Sequence, residues 1–229
     1  MLGIIVALDY ETDKIAQNAR KITKHNQVFY QLNDSVVLTF SGIGKVNAAA
    51  SCMNLINNFK IDAIINVGTS GSCNATINPL DVVLVQNNVY GDVDVTIDDS
   101  YAMNQMPRET KFFKTNEELT QTLGGLLTQL NIPFKAGNCM TIDSFVTKKN
   151  YMKFNELEDV QAYAVDMESV ALAQVCQHTQ TPFGCVKFVS DVFDSKNNHD
   201  DFLKNVQTIS VWIDQLLSEM IKTWEVKHG

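Results

Sequence analysis

The sequence predicts an α/β protein, a three-layer α-β-α sandwich around a mixed, largely parallel sheet. Three observations predict it. Short continuous apolar runs recur along the chain, as expected of strands buried on both faces. Segments with helical apolar spacing separate them. No internal repeat, low-complexity tract or Pro/Ser-rich linker breaks the alternation, so residues 1–229 read as one domain.

Gly3 to Leu8 is a continuous apolar run and reads as the first strand. It meets Asp9 at once and has no basic stretch before it, so it does not read as a signal peptide. A polar helix is expected next, with Ile15, Ala19 and Ile22 on one face. Ser35 to Phe40 is a second β-type run, ending at Ser41-Gly42-Ile43-Gly44. An Ala-rich helix follows, with Val46, Ala49, Ala50, Met53 and Ile56 on one stripe. Ile61 to Val67 reads as a buried strand that ends at Gly68-Thr69-Ser70-Gly71. Asp81 to Val85 and Val93 to Ile97 read as strands, and residues 98 to 115 as a long irregular segment of the kind found at functional sites or interfaces. Thr115 and Glu118 form a capping box for a helix carrying Leu119, Leu123, Leu126 and Leu130. Phe134 to Thr141 and Ala162 to Val165 read as strands, with a helix from about Glu168 to Gln177. Phe183 to Val189 is the last buried strand. A long final helix is marked by Phe202, Val206, Ile209, Ile213, Leu216, Met220 and Trp224.

Composition excludes several classes. The net charge is −8, with 18 basic against 26 acidic residues, which argues against nucleic-acid binding and against an anionic membrane surface. No stretch approaches the ~20 apolar residues of a membrane helix. Five cysteines, an odd number with no C-x-x-C pair, read as buried thiols of a cytoplasmic protein.

Gly42-Ile43-Gly44-Lys45 is neither a Walker A loop, since Val46 replaces Ser/Thr, nor a dinucleotide fingerprint, since Asn47 stands at the third glycine. It reads either as a strand-to-helix turn or as a backbone wall beside a small ligand. His199-Asp200-Asp201 could hold a metal, but a solvated helix start explains it better. No G-x-S-x-G elbow supports a serine triad. Asp92, Asp94, Asp98 and Asp99 read as a solvated edge and loop. More telling are carboxylates just beyond buried strands: Glu11 after the first, Asp166 and Glu168 after Ala164-Val165, and Asp191 after Ser190. Each alone fits a helix-start residue. In a parallel sheet all arrive at one carboxyl edge, where ligands bind.

These pieces together make the chain resemble the 5′-methylthioadenosine/S-adenosylhomocysteine nucleosidases of the purine nucleoside phosphorylase family. The matching stretches are GIIVALDYE (3–11), SGIGKVNAA (41–49), NVGTSG (66–71), DSFV (143–146), AVDMES (164–169) and VSD (189–191). The resemblance implies a nucleoside phosphorylase-like fold and hydrolysis of the N-glycosidic bond of methylthioadenosine and adenosylhomocysteine, with 5′-deoxyadenosine as a further candidate. It implies Asp191 as general acid, Glu11 as the base that activates water, and Glu168 with the Met167 backbone on the ribose hydroxyls. Phe145 would stack on the purine, the Val146 backbone would read its edge, and Ile43 would contact the alkylthio tail. Thr69, Gly71, Ser190, Lys187 and Phe202 would complete the substrate-binding set. No metal or organic cofactor is implied. A homodimer is, with residues 98–115, carrying Met103, Met106, Pro107, Phe112 and Phe113, closing the neighbour's pocket.

The sequence departs from the family pattern in several places. Asp166 replaces Glu, Ser169 replaces Ala, Thr69 replaces Ser and Gly91 replaces His. Lys187 stands where an Arg helps to hold the attacking water. A phosphorylase remains the runner-up, because Lys45 and Lys187 could meet phosphate, although neither arginine, Arg20 on the expected first helix or Arg108 in the irregular segment, lies in a glycine loop. A non-catalytic adenosine binder is the third reading; retention of all three carboxylates argues against it.

Overall fold

The structure, a computed structural model, describes residues 1–146, 160–192 and 198–228, without the side chains of Asp13, residues 198–203 and His228. Its strands are β1 (Leu2–Val6), β2 (Arg20–Lys24), β3 (Gln27–Gln31), β4 (Val36–Phe40), β5 (Ala63–Ser72), β6 (Val82–Tyr90), β7 (Phe113–Lys114), β8 (Lys135–Thr141), β9 (Ala162–Asp166) and β10 (Phe183–Val192). Its helices are α1 (Asp13–Gln17), α2 (Lys45–Asn58), α3 (Glu117–Gln129), α4 (Ser169–Thr179) and α5 (Asn198–His228).

The sheet is mixed. β1 pairs parallel with β4 and β5, β5 with β10, β8 with β6 and β9. The β2–β3, β3–β4, β5–β9, β6–β7 and β6–β10 pairs are antiparallel. The pairings β5–β10–β6–β8–β9–β5 return to their start, so half of the sheet closes on itself. That closure serves the site, because it brings the carboxyl ends of β5, β9 and β10 together. Gly71 is in register with both Asp191 and Val165.

Alternation along the strands sends successive side chains to opposite faces. Ile4, Leu38 and Ile65 join a core with Leu119 and Leu123 of α3 and Ile209, Ile213 and Leu216 of α5. Their neighbours Ile5, Val37 and Ile64 join a second core with Ala48, Cys52 and Leu55 of α2 and Val170, Leu172 and Cys176 of α4. Helices thus cover both faces, the expected three layers. Among the described residues no helix is long and apolar enough to cross a membrane.

Several local expectations change. The polar helix stops at Gln17, and Arg20 and Ile22 lie in the β2–β3 hairpin instead. That hairpin turns on His25 and Asn26, whose φ values of 47° and 61° suit a two-residue primed turn without any glycine to announce it. The buried stripe of α2 is Ala48, Ser51, Cys52 and Leu55, while Val46 is 80% exposed. Small residues rather than large ones face the sheet because α2 also packs closely on α4. β5 runs through Gly68 to Gly71, so that stretch is a strand and not a loop. β6 extends to Tyr90, and Val93 to Ile97 is not a strand: Asp94 closes a turn by accepting from the Thr96 amide and hydroxyl. The N-cap of α3 is Asn116, which accepts from the Leu119 amide, one residue later than the Thr115 capping box. In the irregular segment, Phe113 is buried in β7, while Met106 and Phe112 are partly buried against the chain's own cores.

Candidate active site

A cleft of about 910 Å³, mouth included, opens at the carboxyl edge of β1, β5, β9 and β10. Glu11, Glu168 and Asp191 all line it, as do Ile43, Thr69, Gly71, Phe145, Val146, Met167, Lys187 and Ser190. The Phe202 side chain lies outside the described residues, and so do those of His199, Asp200 and Asp201. Among the described residues no cluster of three or more His, Cys, Asp or Glu is placed to hold a metal ion.

Glu11 ends a single helical turn (Asp9–Glu11) just beyond β1. One carboxylate oxygen accepts from the Thr69 amide at 2.6 Å and the Thr69 hydroxyl at 2.7 Å, and the other from the Leu8 amide at 3.0 Å. The side chain is only 2% exposed and yet borders the cleft. Gly68 makes room for it: a Cβ there would stand 3.1 Å from Glu11 Oε1.

Asp191 is aimed by an irregularity of β10. The register shifts between Val189 and Asp191, which leaves Ser190 as the extra residue of a bulge. The Ser190 hydroxyl donates to Asp191 Oδ1 at 2.7 Å, and Asn205 of α5 donates to the Ser190 carbonyl at 2.9 Å. Burial pushes the Asp191 carboxyl above the usual carboxylate range, and the Ser190 hydrogen bond offsets part of that.

Glu168 sits at the start of α4. Its Oε1 accepts from the Gly44 amide at 2.8 Å and its Oε2 from the Met167 amide at 3.3 Å. Gly42 and Gly44 have φ values of 77° and 98°, which only glycine adopts readily, so the loop is indeed the tight strand-to-helix turn, and it also presents backbone N–H to the site. Burial, and then the charge of Asp166, raise the Glu168 carboxyl to about 7, against an opposing pull from Lys187 and Gly44. Such a group contributes stability fully below its unfolded value of 4.5, and the contribution is lost as pH rises through about 7. Glu168→Gln is therefore expected to be relatively more stable at pH 7.5 than at pH 5, compared with the parent, in thermal melts at both values. An unchanged difference between the two proteins would refute this placement of the proton.

Lys187, at the position where an Arg would help to hold the attacking water, lines the cleft and is committed to an ion pair. It is 2% exposed, and its ammonium lies 2.8 Å from Asp166 Oδ2. Asp166 also accepts from the Thr141 hydroxyl at 2.6 Å, the Ser169 hydroxyl at 3.0 Å and the Ser169 amide at 3.0 Å. Burial alone would raise the Asp166 carboxyl, but Lys187 and these donors hold it below the usual range. The Lys187 ammonium is held well above the usual lysine range: burial opposes this, and the Asp166 charge overrides it.

Some features escaped sequence reasoning. Asp92 does not simply face solvent but pairs with Lys45 at 2.6 Å. Cys73 lines the cleft, and burial, then the Asp191 charge, push its thiol up to about 11, which favours the thiol over the thiolate. Gly91, at the expected His position, has no room for a side chain, since a Cβ would meet Ile142 Cγ2 at 2.4 Å.

The phosphorylase superfamily model matches residues 1–222. The chain is 35% identical over 227 residues to the 5′-methylthioadenosine/S-adenosylhomocysteine nucleosidase of Buchnera aphidicola subsp. Schizaphis graminum, with 96% of each covered. The crystal structure of a nucleosidase of that name from Colwellia psychrerythraea, in complex with adenine, superposes with a TM-score of 0.84 at 31% identity, covering 94% of this chain and 92% of that one. The Neisseria meningitidis nucleosidase, in complex with methylthio-immucillin-A, gives 0.85 at 27% identity, covering 97% and 98%. The chain therefore belongs to the phosphorylase superfamily and, within it, to the 5′-methylthioadenosine/S-adenosylhomocysteine nucleosidases.

Proposed function

We propose that the protein hydrolyses the N-glycosidic bond of 5′-methylthioadenosine and S-adenosylhomocysteine, releasing adenine and the thioribose product. The observation that carries this reading is the meeting of Glu11, Glu168 and Asp191 around one cleft. Asp191, whose carboxyl burial raises above the usual range, is the general acid that supplies a hydrogen to the departing purine. Glu11, locked by three donors, accepts the proton of the attacking water. Glu168 and the Met167 backbone hold the ribose hydroxyls, and the fraction of Glu168 ionised around pH 7 favours an oxocarbenium-like transition state. Phe145, 77% exposed at the mouth, stacks on the purine beside the Val146 backbone, and Ile43 meets the alkylthio tail.

Phosphorolysis has less support. It needs cations free to hold a dianion. Lys187 is the one cation among the described residues lining the cleft, and Asp166 neutralises it. Lys45 is taken by Asp92 and Asp143. Arg20 lies in β2 and Arg108 in the irregular segment, and neither borders the cleft. The deciding experiment incubates the protein with methylthioadenosine, with and without phosphate, and follows free adenine by chromatography. Release without phosphate is expected. Release only with phosphate would establish phosphorolysis, and none at all would leave a nucleoside binder.

The reading includes a single domain over residues 1–229, a cytoplasmic location supported by five free thiols, and a homodimer. The exposed apolar side chains Ile43, Val46, Met53 and Phe145 support the dimer. A monomer with full activity in dilute sedimentation would count against it.

A further inference from the structure

We propose that Lys45 is a positioning residue, which clasps Asp92 and Asp143 and so holds the Asp143–Val146 segment at the purine end of the cleft. This inference rests on the nucleosidase reading and extends it to a group that does not line the cleft. Lys45 is the first residue of α2, and it acts twice. Its backbone N–H donates to Asp143 Oδ1 at 3.0 Å. Its ammonium lies 2.6 Å and 2.7 Å from the two oxygens of Asp92 and 3.6 Å from Asp143 Oδ2. Asp92 Oδ2 in turn accepts from the Asp143 amide at 3.1 Å, which closes the ring of contacts.

An isolated surface ion pair contributes little. This one differs in three respects. The Lys45 side chain is 17% exposed and its ammonium stands 5.4 Å from the centre of the Tyr90 ring, so it is held in place even though Asp92 and Asp143 reach solvent. It joins three separate elements: the N-terminus of α2, the residues after β6 and the segment after β8. It is also what lets Asp92 and Asp143 sit together, since without the ammonium two carboxylates would face each other beside one helix end. The adjacent Gly44 amide is held by Glu168, so the first turn of α2 is tied at once to the ribose carboxylate and to the purine segment.

A purine wall contacts the base before and during bond cleavage, so loosening it removes binding from both states and raises KM more than it lowers kcat. Lys45→Met keeps a stem against Tyr90 and removes the charge. The expected result is a rise in KM for methylthioadenosine of about tenfold with kcat changed less than about threefold. Adenine affinity should weaken by a similar factor, and amide hydrogen exchange in residues 141–146 should accelerate. Lys45→Arg should recover both, because it restores the charge, and Asp92→Asn should reproduce the defect from the other side of the clasp. Unchanged exchange and adenine affinity in Lys45→Met would overturn the proposal, and so would a loss confined to kcat. If the parent protein released no adenine the nucleosidase reading would fall. The adenine titration and the exchange measurement would still decide the clasp.

Discussion

Asp191→Asn is expected to lower adenine release from methylthioadenosine at least about a hundredfold, equivalent to ~2.7 kcal/mol of barrier, while adenine still binds. Asparagine keeps the volume and can still accept from the Ser190 hydroxyl, which donates at 2.7 Å in the parent. It cannot give up a proton. The parent carboxyl is suited to do so because burial raises it above an aqueous carboxylate, and little opposes burial except Ser190. Glu11 provides the contrast within the same cleft. Two donors from Thr69 and one from Leu8 converge on it and fix both of its carboxylate oxygens beside the cleft. The measurement is kcat by chromatography, beside an adenine titration of both proteins. Turnover within a few-fold of the parent would remove Asp191 from the chemistry. Loss of adenine binding together with turnover would assign it to purine recognition instead.

The site was more legible in the sequence than the path the chain takes to build it. Glu11, Glu168 and Asp191 could be placed together because each follows an apolar run, and parallel strands deliver their ends to one edge. The closure of the sheet was not visible, since the single Gly71–Val165 pairing that completes it leaves no periodicity. Nor was the β2–β3 hairpin, whose turn uses His25 and Asn26 where glycine would have signalled it. The buried stripe of α2 lies two positions along from the expected one, because Ala48, Ser51 and Cys52 are what close packing on α4 requires. From the sequence, Lys45 reads as a cation that could meet phosphate. Only the distances to Asp92 and Asp143 show that its charge is already committed. Asp166 and Lys187 both depart from the family pattern, each shortening or narrowing a charged group. A paired departure is what a direct contact between the two would require, and the structure places them 2.8 Å apart.

That pair sets the largest expected effect on stability. Lys187→Met keeps most of the stem volume but leaves Asp166 buried without its counter-ion, and breaking a buried pair from one side costs about 3–5 kcal/mol. For a chain of this size the melting temperature should fall by roughly 6–20 °C. The pH dependence distinguishes this from simple repacking. In the parent, Asp166 is held below its unfolded value of 3.8, so its contribution is present above that pH and is lost as pH falls through the depressed value. In Lys187→Met the desolvation that Lys187 had overridden dominates, and the Asp166 carboxyl moves above 3.8. Its contribution is then present at low pH and lost as pH rises. The gap between the two proteins should therefore be widest near neutrality and should narrow toward pH 4, as read by thermal or denaturant melts. A gap constant with pH would mean lost packing and not a stranded charge. Exchange of both partners tests the pair as a unit. The double variant Asp166→Glu with Lys187→Arg restores a longer acid and a planar base, and it should lie closer to the parent than the sum of the two single losses. Strict additivity would show that the two side chains act independently, despite their contact.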